Sequence, residues 1–415
     1  MNSAVLNGSD STPRQLFLTN LFWGAFTVYS VCSVLTGSSH ISEKLCQYLQ
    51  LLSLVLVFGT SIFLIRLRIE NNYLKIVFPV YGFWVLLTIL RGIHLDFQSV
   101  MYMLLIPDYG ILLYFVPLIL LFPQDFNSYK KVFEVIIVFA IFFFISDVLY
   151  IGELFDRSSQ NKNVIENLAW CLALPSGFIL LTHKYHSNTR KVFALITMTV
   201  ALLFSVYHAR RGLSLILAIT LIFSFWGYLF STRQKILTIY LSALVITFGL
   251  LYATSIYNIN NNKLLNFIAQ RGEEDTRTGV ELYFYNDMHT KDWIIGRGIN
   301  GEYYCPNIDL DTDYRALIET GYLQIILKGG LVRLILLLLI LVPAVILGLF
   351  FSNNLLSKAA AIWILIALIS LYPATVESFE LQYIIVWISV GICYSKVIRR
   401  LPERQIIELL NPKGR

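Results

Sequence analysis

Of the chain's 415 residues, 57% are hydrophobic and only 14% charged, with a mean hydropathy of +0.67; soluble domains carry about a quarter charged residues and less than half apolar ones. This balance excludes a soluble enzyme or binding module and identifies an integral membrane protein. The net charge of +6 does not point to nucleic acid, because the positive residues lie in short segments between apolar runs, where they orient the chain instead.

The N-terminus is polar up to Arg14. It lacks a charged region feeding a short apolar core and a small-residue cleavage site, so the first span is expected to be kept as an uncleaved anchor. Apolar runs follow at 16–36, 46–65, 74–90, 100–122, 132–152, 164–182, 192–208, 212–231, 236–256, 331–351, 358–373 and 379–395. About 20 residues at 1.5 Å each cross the roughly 30 Å hydrocarbon layer, so these are about 12 transmembrane helices. Alternating ten-residue strands are absent, and the expected fold class is all-α. Five scattered cysteines form no metal-spaced cluster and read as packing residues.

With the N-terminus inside, every second loop collects the positive residues: Arg66 and Lys75, Lys130 and Lys131, Arg190 and Lys191, Arg233 and Lys235, Lys358, then Lys396, Arg399 and Arg400. Both termini are therefore expected in the cytoplasm. The long polar stretch 257–320 then lies outside, together with 152–163 and 372–382. The expected division is an N-terminal bundle of about nine helices over 1–256, a periplasmic loop over 257–320, C-terminal helices over 321–395 and a cytoplasmic tail over 396–415. No internal repeat or linker divides the chain further.

Residues able to do chemistry concentrate outside. Arg210 and Arg211 occupy a turn on the face where short loops otherwise carry few positives. Anion binding is the functional use, since guanidinium suits phosphate bidentately; snorkelling to headgroups is the alternative. In the loop, Arg277, Arg297 and Arg315 add cations, and 279–286 and 318–326 read as short helices. Glu319, just before the apolar run resumes, is the best-placed general base, because burial can raise a carboxyl toward neutrality. Asp108, Glu134 and Asp147 fall in apolar runs, where an acid is costly and tends to be functional. Asp309, Asp311 and Asp313 lack the glycine and final glutamate of a calcium loop, so no metal is expected. Gly296 to Gly301 fits G-x-G-x-x-G, but without a strand-to-helix unit it reads as a close-approach turn and not a dinucleotide site.

Three pieces of the chain resemble the bacterial O-antigen polymerase and ligase superfamily. HARRGLSL is similar to the family's arginine-glycine turn at Arg211, and RTGVELYFYND followed by DWIIGRGING to its early-loop arginine at Arg277. IETGYLQIILKGGLVRL is similar to the re-entry segment, closing on Gly329 and Gly330. The resemblance implies a GT-C-like inner-membrane glycosyltransferase that takes an undecaprenyl-pyrophosphate-linked oligosaccharide among the membrane lipids. It carries over two residues as catalytic and substrate-holding, Arg211 and Arg277; the residue chemistry above adds Arg210, Arg297 and Arg315 as ligands of the pyrophosphate and glycan and Glu319 as the catalytic base, with no cofactor. It also allows a chain-length regulator as a partner. Ligases place a histidine before re-entry, where this chain has Glu319 and Thr320; that departure favours a polymerase over a ligase. A flippase for the same lipid is the reading from another class, with internal repeats its missing feature.

Overall fold

The computed structural model describes residues 13–36, 42–67, 69–93, 96–108, 110–154, 166–208, 210–231, 277–306, 312–374 and 376–410. The first helices are α1 (Pro13–Leu35), α2 (Glu43–Leu64), α3 (Asn72–Leu90) and the short α4 (Phe97–Leu105). A 3-10 helix (Ile111–Leu121) precedes α5 (Phe126–Leu149), α6 (Glu166–Leu181), α7 (Asn188–Tyr207) and α8 (Arg211–Ser231). The polar stretch holds α9 (Arg277–Asp287), α10 (Thr290–Ile295) and a two-stranded antiparallel ribbon, β1 (Tyr303–Tyr304) with β2 (Tyr314–Arg315). Then come α11 (Gly321–Phe350), α12 (Leu355–Ser370), α13 (Leu381–Tyr394), α14 (Lys396–Arg400) and α15 (Glu403–Leu410).

Seven of the described helices are long and apolar enough to cross a membrane, and four shorter apolar ones accompany them. The chain is thus an α-helical, membrane-embedded protein. Large apolar side chains such as Val55, Ile62 and Ile76 point outward at 70% exposure or more, the opposite of a soluble core. The expected span 236–256 lies outside the described residues. Several helices begin on a polar cap whose side chain accepts an otherwise orphaned amide: Asn71, Asp96, Asp125, Ser187 and Asn354.

Segments assigned by the sequence to alternate sides gather at opposite ends of the bundle. At one end, here the tail end, the Arg66 amide donates to the Leu121 carbonyl at 2.8 Å, Arg66 Nη2 donates to Gln15, and Asn354 Nδ2 donates to the Ile398 carbonyl at 2.8 Å. At the other, the loop end, the Ile299 amide reaches the Thr88 carbonyl at 3.1 Å. There too the Phe379 amide reaches Pro107 at 2.9 Å, and His208 Nε2 lies 2.8 Å from the Leu154 carbonyl.

Two expected spans are built differently. The run 100–122 is not one helix: α4 stops at Leu105, a turn carries Asp108, and the chain continues as the 3-10 helix. Eleven residues at about 2.0 Å each cover about 22 Å, so the tighter coil extends a run too short for an α-helical crossing. The helix expected at 331–351 begins ten residues earlier, at Gly321 behind Thr320, and breaks at Gly330, where φ is 72°. That left-handed conformation suits glycine. The first half, 321–329, re-enters from the loop end; the second, 331–350, makes the crossing.

A broken helix orphans its last carbonyls, and the 277–320 loop and α3 satisfy them. The Arg297 amide donates to Leu327 O at 2.7 Å, the Gly298 amide to Lys328 O at 2.9 Å, and Trp84 Nε1 of α3 to Gly329 O at 2.8 Å. The G-x-G-x-x-G segment is therefore the close-approach turn the sequence suggested. A Cβ on Gly296 would stand 2.5 Å from the amide nitrogen of Gly330 and the carbonyl of Lys328.

Candidate functional site

The break in α11 sets two cations into the lining of one small cavity. Lys328, the last side chain before the break, is buried and donates Nζ to the Gly301 carbonyl at 2.8 Å. Arg333, just beyond it, is 2% exposed and pairs through Nη2 with Glu377 Oε2 at 2.8 Å. Its guanidinium also lies over the Tyr114 ring at 4.6 Å, and Tyr383 donates to the other Glu377 oxygen at 3.1 Å. Burying two charges is costly unless both are paired and hydrogen-bonded, and these contacts meet that condition on all but one side: Arg333 Nε has no acceptor in the protein. Asp108, Tyr114, Gln324, Lys328, Arg333 and Glu377 line the cavity, whose volume of about 20 Å³ has the room of roughly one water.

A second cluster lies beside it. Arg210 Nε stands 3.0 Å from Glu166, and Asp108 is within electrostatic reach of both Glu166 and Glu380. Glu380 accepts from Cys171 Sγ at 2.9 Å and from Ser378 at 3.2 Å. The five cysteines are buried and unbridged; Cys171 is more than packing, since it is a ligand of this carboxylate.

The loop end is continuous from the arginine turn to the 277–320 loop. Arg210 pairs with Glu166, which lies within electrostatic reach of Asp108; Asp108 lines the cavity with Gly321 and Leu371, and the Tyr322 amide donates to Leu371 O at 3.2 Å. From there Thr320 hydrogen-bonds Glu281, one turn into α9 from Arg277. The backbone positions of Arg211, heading α8, and Arg277, heading α9, thus belong to one end of the molecule. The Arg277 side chain and residues 307–311, with the Asp309 and Asp311 candidates, lie outside the described residues.

Arg297 takes a different role from the one expected of it. All five of its donors are engaged: Nη1 with Asp287 Oδ2 at 2.5 Å and Glu302 O at 2.6 Å, Nη2 with Asp287 O at 2.6 Å and Asp292 Oδ2 at 2.9 Å, and Nε with Asp292 Oδ2 at 3.1 Å. Burial alone would lower its pKa, but the two carboxylates outweigh that and hold it above the ordinary value. A guanidinium with no donor left is a loop clamp and not a phosphate ligand. Arg315 sits in β2 beside the Tyr303 hydroxyl, away from the cavity lining. Glu319 is exposed at the end of the loop. Glu134 pairs with Lys131 at 2.8 Å near the tail end, whereas Asp147 is 8% exposed with one carboxylate oxygen unpartnered. The helix expected at 279–286 is present as α9; α10 and the β-ribbon were not foreseen.

Sequence reasoning passed over Lys328, Arg333 and Glu377 as site residues. The signal was there: two cations five residues apart in an otherwise apolar run, with acids in the short loop between the last two spans. No family model, curated protein or solved structure matches the chain.

Proposed function

We propose that this chain is a membrane glycosyltransferase that polymerises undecaprenyl-pyrophosphate-linked oligosaccharide repeat units into O-antigen or a related capsular polysaccharide. In this reading it has about twelve spans in a GT-C-like arrangement, sits in a bacterial inner membrane with both termini cytoplasmic, and works at the periplasmic face. One observation carries the proposal: the re-entrant half-helix ends in a break beside which Lys328 and Arg333 are buried in the lining of one small cavity, at the same end as the Arg210-Arg211 turn and the Arg277-headed helix. The sequence resemblance at those same segments supports it.

The chemistry follows from the charge distribution. An acceptor hydroxyl attacks the anomeric carbon, the bond to the lipid diphosphate breaks, and its electron pair leaves with the diphosphate, inverting the configuration. Negative charge on the leaving group grows in the transition state, so fixed guanidinium and ammonium groups stabilise it more than the ground state. The hydroxyl proton passes to a carboxylate. Asp108, which lines the cavity with Lys328 and Arg333, is better placed for this than the exposed Glu319.

The test is to give the purified protein in lipid nanodiscs its lipid-linked repeat units alone. Longer lipid-linked chains support the polymerase. Transfer that requires lipid A core as acceptor would make it a ligase, and translocation without any new glycosidic bond would make it a flippase.

A further inference from the structure

Between α3 and the 3-10 helix runs an apolar groove of about 680 Å³, lined along one wall by Phe78, Gly82 and Val85 and along the other by Phe115, Pro117 and Leu118. Small or side-chain-poor residues make it concave: Pro79 and Gly82 on α3, Pro117 opposite. Its floor is firm, because Phe78 and Tyr81 pack on Trp387 of α13 with ring centroids 6.2 and 5.8 Å apart. Its rim is open to the surroundings, with Leu86 half exposed.

Two features say what fills it. The first is length. The lining on α3 runs from Lys75, near the tail end, to Ile89, near the loop end, about 21 Å at 1.5 Å per residue. One leaflet is about half of the roughly 30 Å hydrocarbon layer, so a phospholipid acyl chain covers only part of the groove. The second is continuity. Tyr114 lines both the groove and the small cavity, and its ring carries the Arg333 guanidinium. An apolar chain lying in the groove therefore ends, at the loop end, one side chain away from a buried cation, which suits a lipid whose head is anionic.

We infer that the groove between α3 and the 3-10 helix holds the isoprenoid chain of a polyprenyl phosphate-type lipid, running from Tyr114 toward Lys75. The inference rests on the reading that the substrate is lipid-linked, and it adds where on this chain the lipid lies. Aromatic rings at Phe78, Tyr81, Tyr114 and Phe115 face the groove, suited to the double bonds of an isoprenoid.

The experiment uses the full chain in detergent and native mass spectrometry, with a C55 polyprenyl phosphate and a dioleoyl phosphatidylglycerol as competing probes. Neither bears a sugar, so retention is read without turnover. The wild type is expected to retain the polyprenyl phosphate in preference. Gly82→Phe, at a position where an added side chain meets open space, should reduce that retention by about tenfold or more as the ring displaces several methylenes of chain. Leu86→Trp should act in the same direction. Gly24→Phe, equally open but on α1, should leave retention unchanged, with the unfolding temperature followed in all three. Equal retention of both lipids, or equal loss in the Gly24 and Gly82 variants, overturns the inference. Preferential retention without chain elongation would leave the groove standing and remove the enzyme reading.

Discussion

Arg333 and Glu377, 44 residues apart in sequence, meet at 2.8 Å with the arginine 2% and the glutamate 9% exposed. The pair joins the crossing half of α11 to the loop before α13, beside the helix break. Removing one member leaves the other charged in a low-dielectric site, which typically costs about 3–5 kcal/mol, whereas replacing both by apolar residues is often near neutral. Arg333→Met alone is therefore expected to lower the unfolding temperature strongly, and the double variant Arg333→Met with Glu377→Leu to recover most of it without recovering activity. Thermal unfolding of purified protein and chain elongation, measured side by side, separate the two effects.

The break at Gly330 should be intolerant of any side chain. Its φ of 72° with ψ of 177° costs an L-residue about 1–3 kcal/mol, and a Cβ there would run into the backbone of Ile294. Gly330→Ala should undock the 277–320 loop from α11, seen as faster proteolytic cleavage within 277–320 while the helical content of the rest persists. Unchanged cleavage would mean that the glycine contact does not hold the loop.

Arg297→Lys tests the clamp. One ammonium cannot replace five donors fixed in a planar fork, so the loop should loosen, with a loss of about 2–4 kcal/mol spread over two carboxylates left partly unpaired. Elongation should fall only in proportion to the undocked fraction. A variant whose loop stays protected but whose KM for donor rises sharply would return Arg297 to the substrate.

Tyr303 gives the 277–320 loop an alkaline limit. Burial foremost, against the pull of the nearby Arg315, pushes its hydroxyl up to about 12 from 10, and it donates to the Leu317 carbonyl at 3.1 Å. Between these values the unfolded loop has released a proton that the docked loop still holds, so stability falls as pH rises from about 10 toward 12. Tyr303→Phe should flatten that part of a protease-sensitivity profile, at the cost of the hydrogen bond at lower pH.

The helical, membrane-embedded class was legible because apolar runs are written in composition, and seven of the described helices are long and apolar enough to cross a membrane; the glycine pair at 329–330 was marked by the resemblance of its segment, and the chain breaks there. The glycine turn at 296–301 was legible for a similar local reason, its need for close backbone approach. What local pattern could not convey was partnership. Arg297 looks like any loop cation until Asp287 and Asp292 fold around it. Lys328 and Arg333 are hidden in a run whose hydropathy remains that of a span. The 3-10 helix arises because a segment too short for an α-helical crossing must cover the distance, and no residue in it announces that geometry. Glu319 drew attention by its position in sequence, whereas Asp108, from a break within an expected helix, lines the cavity together with the Arg333-paired Glu377.

The central claim is that cations from separate segments act together on a lipid diphosphate at the loop end. Its most direct test is the elongation rate on lipid-linked repeat units, at equal amounts of folded protein, for Arg211→Ala, Arg277→Ala and Asp108→Asn. The account predicts a loss of about a hundredfold or more in each, the scale of removing one charge-stabilising or proton-accepting group, with unfolding temperatures near that of the wild type. Elongation at the wild-type rate in all three variants would contradict it.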